Sequence, residues 1–187
     1  MPSAPPDTRT APPSDPAPST AAGPSPASRS RSAAGPGRLH HLELWVADLA
    51  AVAGSWAWLL GELGYRPRDR WADGTSWTGP GGEYLVLESG PDVLGTPHER
   101  RRPGLNHLAF WAGSQRDVDR LAAAGPEHGW TPLFADRYPF AGGRTHYAAY
   151  LESGDGFEVE LVADPDALPD PPDPPDPSDG RHDAPPD

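Results

Sequence analysis

The sequence predicts an α+β fold of two tandem βαβββ modules, forming a curved mixed sheet around a concave site. Three observations predict it. The segment LHHLELWV at residues 39–46 returns as LNHLAFWA at 105–112, so that Leu39, His41, Leu42 and Trp45 recur as Leu105, His107, Leu108 and Trp111 with an offset of 66. Each copy is followed by the same succession of signals: a helix, a glycine stop and three short strand-like stretches. The 27 prolines are concentrated at the ends, ten in residues 1–37 and nine in 164–187, against eight between. The folded part therefore runs from about Arg38 to Ala163, a normal size for one domain.

Each repeated segment alternates and is rich in apolar and aromatic residues, the pattern of a strand. Asp48 then caps a helix whose apolar positions Leu49, Val52, Ala53, Trp56, Leu59, Leu60 and Leu63 follow helical spacing. Ser114 caps the second helix, with Asp117 placed for a capping box and Val118, Leu121 and Ala122 as its apolar face. Both helices stop at a glycine, an aromatic residue and a nearby proline: Gly64, Tyr65 and Pro67, then Gly129, Trp130 and Pro132. The remaining strands are expected at about 65–71, 75–78 and 83–88 in a module spanning 38–90. In a module spanning 104–163 they are expected at about 130–138, 146–152 and 157–162. A half of this size leaves one sheet face bare and is marginal alone, so the halves are expected side by side, within one chain or across a homodimer.

The flanking segments read differently. Residues 1–37 are mostly Ala, Pro, Ser and Gly without apolar periodicity, and cannot offset the entropy of ordering. Residues 164–187 carry eight Asp and one Arg among nine prolines, an acidic tract expected to be solvated. The net charge of −12 is partly theirs: −7 from the last tract and +1 from the first leave −6 for the core. No basic face is evident, which argues against nucleic acid; the run Arg100 to Arg102 reads as a solvated loop. The absence of cysteine and lysine excludes disulfides, thiolate ligands and Schiff-base lysines. No stretch approaches the roughly 20 apolar residues of a membrane span, and no apolar secretory core follows the start. A cytoplasmic location is the expectation.

Within the first strand His41, Glu43 and Trp45 share one face; in the second His107, Ala109 and Trp111 do. The repeat puts His41 and His107 at equivalent positions, which are expected to converge. The last strand adds Glu158 and Glu160 on one face, of which Glu158 is expected to be solvated. Two imidazoles and a carboxylate suit a divalent ion with open positions. His146 and Tyr150 share a face of the preceding strand and are candidates for an acid–base pair or for simple packing. Glu43 is a candidate to orient His41, while His40 points away and His98 reads as exposed. The glycine-rich loop 138–145 either covers the pocket or is an ordinary connection.

The run from His41 to Asp48, the run Gly104-Leu-Asn-His107-Leu-Ala-Phe, and Ser153-Gly-Asp155-Gly156-Phe-Glu-Val-Glu160-Leu-Val resemble the opening, second-module and closing motifs of the vicinal-oxygen-chelate superfamily. This is the glyoxalase, bleomycin-resistance and extradiol-dioxygenase type. The resemblance covers about residues 38–163; Gly154 stands where the family usually has proline. It implies that His41, His107 and Glu160 bind one divalent ion (Ni, Zn, Mn, Fe or Co). Glu88, at the end of Tyr84-Leu-Val-Leu-Glu88, occupies the region that supplies a fourth ligand and base in glyoxalase I. With it, the site would be octahedral; without it, a three-ligand triad. Glu160 or Glu88 would then move the proton in a glyoxalase-like lyase or isomerase acting on a small oxygen-chelating substrate. Extradiol-type dioxygenases and antibiotic-modifying thiol transferases are the enzymatic alternatives. A bleomycin-resistance-like binding protein without catalysis is the other.

Overall fold

The computed structural model describes residues 36–95 and 97–167. The expectations for the tails fall almost wholly outside these residues. The chain divides into two units, Met1–Arg38 and Leu39–Asp187, and every helix and strand of the described residues lies in the second. No helix among the described residues is long and apolar enough to cross a membrane.

The first module is β1 (His41–Trp45), α1 (Leu49–Glu62), β2 (Arg66–Arg70), β3 (Gly74–Thr78) and β4 (Tyr84–Glu88). The second is β5 (His107–Trp111), α2 (Gln115–Ala124), β6 (Trp130–Leu133), β7 (Ala148–Ser153) and β8 (Glu158–Val162). The βαβββ order is thus met twice. Asp48 caps α1 by accepting from the Ala51 amide at 3.1 Å. Gly64, at φ +82°, turns the chain out of that helix, a conformation that costs glycine nothing. Ser114 and Asp117 form a reciprocal capping box on α2.

The strands form two four-stranded mixed sheets, one per module, in the orders β1-β4-β3-β2 and β5-β8-β7-β6. In each, the repeated strand lies at an edge and pairs in parallel with the last strand of its module, while the other pairs are antiparallel. One core serves both halves. It takes Leu44, Leu85 and Leu87 from the first sheet, Leu151, Val159 and Leu161 from the second, and the apolar faces of both helices. Trp56 of α1, fully buried, meets Trp130 and Phe157 of the second module edge-on at 5.1 and 6.4 Å. The Trp130 indole donates to the Ser55 carbonyl at 3.2 Å, and the Ala47 amide donates to Asp155 at 3.0 Å. The halves are therefore locked by their core faces, not by a ladder between sheets, and the outer face of each sheet looks away from the shared core.

Two strands differ from expectation. The stretch expected to run to residue 138 ends at Leu133, because Phe134 takes a left-handed conformation (φ 55°) into the short 3-10 turn Ala135–Arg137. The next strand begins at Ala148, which leaves His146 in the preceding loop.

Candidate metal and substrate site

Strand pairing decides which side chains share an outer face. In the second module His107 lies opposite Glu158, Ala109 opposite Glu160, and Glu160 opposite Tyr150. The Glu160 carboxylate is 6 % exposed and three side chains converge on it. His107 Nε2 lies 3.1 Å from Oε2, His146 Nε2 lies 2.6 Å from Oε1, and the Tyr150 hydroxyl donates to Oε1. Burial opposes ionisation of Glu160, but the bonds from Tyr150 and His146 and the nearby imidazoles outweigh it and hold its pKa below the ordinary carboxylate value. Burial, then the bond to Glu160, pushes the Tyr150 hydroxyl well above its ordinary value, so it remains a donor.

Loop 138–147 lies over this group. A Cβ on Gly142 would stand 2.6 Å from the Tyr150 hydroxyl and 2.7 Å from His146 Cδ2, so the loop can press this close only with glycine there. Phe134 packs edge-on against Tyr150 at 5.3 Å.

Asn106 sets the state of His107. Its amide nitrogen donates to the Arg100 carbonyl at 3.1 Å, and that carbonyl can only accept. The Asn106 oxygen must therefore face His107 Nδ1, 2.8 Å away, which makes Nδ1 the donor. A neutral His107 then turns its Nε2 lone pair toward Glu160. With Nε2 3.1 Å from the carboxylate oxygen, the two atoms can share either a proton or a metal ion. That separation is the one expected of neighbouring ligands bonded at about 2.1 Å around a divalent ion at close to a right angle. His40 and His41 stand in the same relation, Nδ1 to Nδ1 at 2.9 Å. The repeat makes His40 the counterpart of Asn106. Alternation alone missed this, because it sent both residues to the opposite face; their matching places in the repeat were the available signal.

The expected convergence of His41 with His107 does not occur within the chain. His41 stacks face to face on Tyr84 at 4.8 Å and touches His40 edge-on. Among the described residues no three His, Asp or Glu side chains are grouped to hold a metal ion. The donor pair His107 and Glu160 fits one side of such a site, and the rest is not supplied by this chain's own first module. The cause is the packing of the sheets on a shared core rather than edge to edge.

Register also decides the position of Glu88. It lies opposite Trp45, four residues along β1 from His41, a distance of roughly 13 Å at strand rise. Glu160 lies opposite Ala109, only two residues from His107. The first-module counterpart of Glu160 is therefore Val86, which lies opposite Glu43. Partial burial, then the charges of Glu43, Asp73 and Asp92, push the Glu88 pKa above its ordinary value. Glu43 itself accepts from the Trp45 indole at 2.7 Å and does not brace His41.

Three further expectations are corrected. Glu158 is 3 % exposed, not solvated; it forms an ion pair with Arg100 at 2.6 Å, without a well-directed hydrogen bond. Arg100 accordingly is no solvated loop residue. His98 is half-buried, stacked on Phe157 at 4.4 Å, and holds the Leu105 carbonyl at 2.9 Å.

A family model for the glyoxalase/bleomycin resistance protein/dioxygenase superfamily matches residues 40–150. The chain is 42 % identical over 125 residues to the uncharacterized protein YqjT of Bacillus subtilis (strain 168), covering 67 % of this chain and 98 % of that one. A solved structure of a candidate glyoxalase from Bacillus halodurans is similar at 45 % identity and TM-score 0.65, over 69 % of this chain and 97 % of that one. A glyoxalase/bleomycin resistance protein from Albidiferax ferrireducens T118 is similar at 25 % identity and TM-score 0.55, over 68 % and 98 %.

Proposed function

The chain belongs to the glyoxalase/bleomycin resistance protein/dioxygenase superfamily, and from that premise we propose that it is a divalent-metal enzyme whose site is completed between two copies. His107 and Glu160 of one chain and His41 of the partner subunit would hold the ion. Glu88, four positions along the sheet from His41, stays outside the set. The reaction is glyoxalase-like lyase or isomerase chemistry on a small molecule with neighbouring oxygens. The observation that carries this reading is His107 Nε2, its ring oriented by Asn106, set 3.1 Å from the Glu160 carboxylate. The exposed edge-strand faces, with Trp45 and Trp111 at 51 % and 67 % exposure, support a second copy covering them.

A divalent ion supplies charge stabilisation for a developing enolate or alkoxide. The chain's own residues do the rest. Tyr150 keeps its proton and pins Glu160. His146 has one edge on Glu160 and is 41 % exposed along its side chain, which suits it to carry a proton between substrate and solvent. Loop 138–147 restricts water at this end of the site.

The test is metal content of protein purified without chelator, together with His41→Ala, His107→Ala and Glu160→Ala. About one equivalent per chain, lost in each variant, supports the enzyme. Mixing His41→Ala with Glu160→Ala chains should restore up to about half of the sites if two copies share them, and none if each chain completes its own. No metal, and none taken up on titration, overturns this reading in favour of a bleomycin-resistance-like binding protein. That alternative draws on the bonds that satisfy Glu160 without any ion.

A further inference from the structure

The outer face of the first module carries positive charge that neither the fold nor the metal site uses. Arg66 lies opposite Thr78, Thr78 opposite Tyr84, and Tyr84 opposite His41. These four residues therefore form one row across the sheet on one face. Arg68, two residues on from Arg66, lies on that side as well, and its guanidinium lies 4.3 Å above the Tyr84 ring. Tyr84 in turn stacks on His41. Arg68 spends its Nε on Asp69 at 3.0 Å, which leaves its two terminal nitrogens available. No carboxylate pairs with Arg66 among the described residues. This is an unusual concentration for a chain of net charge −12, in which the matching row of the second module is acidic: His107, Glu158, Glu152, Thr131.

We propose that Arg66 and Arg68 bind an anionic group, carboxylate or phosphate, so that the substrate is an organic acid or a phosphate ester gripped on the β2 side of Tyr84. Stacking on Tyr84 holds the Arg68 plane, and a guanidinium so held loses little freedom on closing a two-pronged bond to an anion. The row gives the substrate a direction. Its anion sits between Arg66 and the Arg68 guanidinium above Tyr84, and its oxygens reach toward His41. Identifying the anion as the substrate's rests on the metal-site reading above; anion binding by the arginine pair does not.

The experiment is carried out on metal-free protein at constant ionic strength. Benzoate, phenyl phosphate and neutral benzamide are titrated while the side-chain Nε–H signals of the arginines are followed by NMR. The expected result is a saturable shift confined to Arg66 and Arg68 with at least one of the two anions, at least ten-fold weaker with benzamide. In Arg66→Gln the response of Arg68 should weaken at least ten-fold. No saturation, an equal response to benzamide, or shifts spread over all arginines would overturn the proposal while leaving the metal reading intact. Anion binding without metal uptake would do the reverse.

Discussion

The two modules share a frame and differ in what stands on it. His41 and His107 open their edge strands, each beside a residue placed to fix its ring, His40 and Asn106. Trp45 and Trp111 close the same strands. Across the sheet the correspondence fails. Tyr84, Val86 and Ser76 of the first module occupy the places of Glu158, Glu160 and Tyr150 in the second. The second module thus carries the carboxylates and their partners, and the first carries an aromatic and arginine row. Positions set by strand pairing kept the histidine and its brace. Positions one or two strands away were free to diverge, because no core packing constrains the outer face. A pair of unlike faces can hold a substrate in one orientation, which two identical faces cannot.

The sharpest way to break this comparison is through the tryptophans. Trp56→Ala removes the side chain that ties the first module to the second, and should cost about 3–5 kcal/mol in urea denaturation. Trp45→Ala, on the outer face, should stay within about 0.5 kcal/mol at protein concentrations dilute enough to keep the chain monomeric. Equal losses would mean that the halves are not joined through their core faces.

Next come the two carboxylates. Glu160→Gln should lower metal affinity at least about 100-fold in a competitive chelator titration, whereas Glu88→Gln should change it less than about three-fold. A large effect of Glu88→Gln would restore the four-ligand set and contradict the register argument. The braces should act more weakly and in parallel. Asn106→Ala and His40→Ala should each reduce metal affinity by about 10- to 100-fold, the usual range for residues that orient a metal-bound histidine. An effect of one without the other would show that the modules contribute unequally.

The smallest effect concerns Asp155, which accepts from the Ala47 amide. Burial pushes its carboxyl above the ordinary range, and the amide bond offsets this in part. The folded state therefore favours the protonated form. Its contribution to stability is fully present below the ordinary aspartate value near pH 4 and declines as pH rises toward the raised folded value. Asp155→Asn should flatten that decline, measured as the difference in urea midpoints between variant and parent across the window. A variant with the parent's slope would put the titration elsewhere.

Much of the frame was legible in the sequence because repetition and periodicity are local. The offset of 66, Asp48 and Ser114 as caps, and the stop at Gly64 read correctly; α2 instead ends at Gly125, before Pro126, and Gly129 closes the 3-10 turn that follows. The site was legible where one strand decides, as for His107 and Glu160. It was not legible where two strands must be aligned: Leu87-Glu88-Ser89-Gly90 repeats as Leu151-Glu152-Ser153-Gly154 one strand earlier in its half, and only pairing reveals that Glu88 is the counterpart of Val162 and not of Glu160. Glu158 was misread because its partner Arg100 lies 58 residues away in a loop. The failure of His41 to meet His107 turns on which faces pack, and both faces of a strand such as LHHLELWV contain apolar residues.

The buried Trp56 also orders events in time. A chain whose two halves are already keyed together has nothing left to trade with a neighbour. On the shared-site proposal, two finished chains must meet before the ion has its full set of ligands. Activity should then fade on dilution while each chain remains folded, and recover on concentration without any refolding. Abundance in the cell would act as a second control on the reaction, alongside supply of the metal.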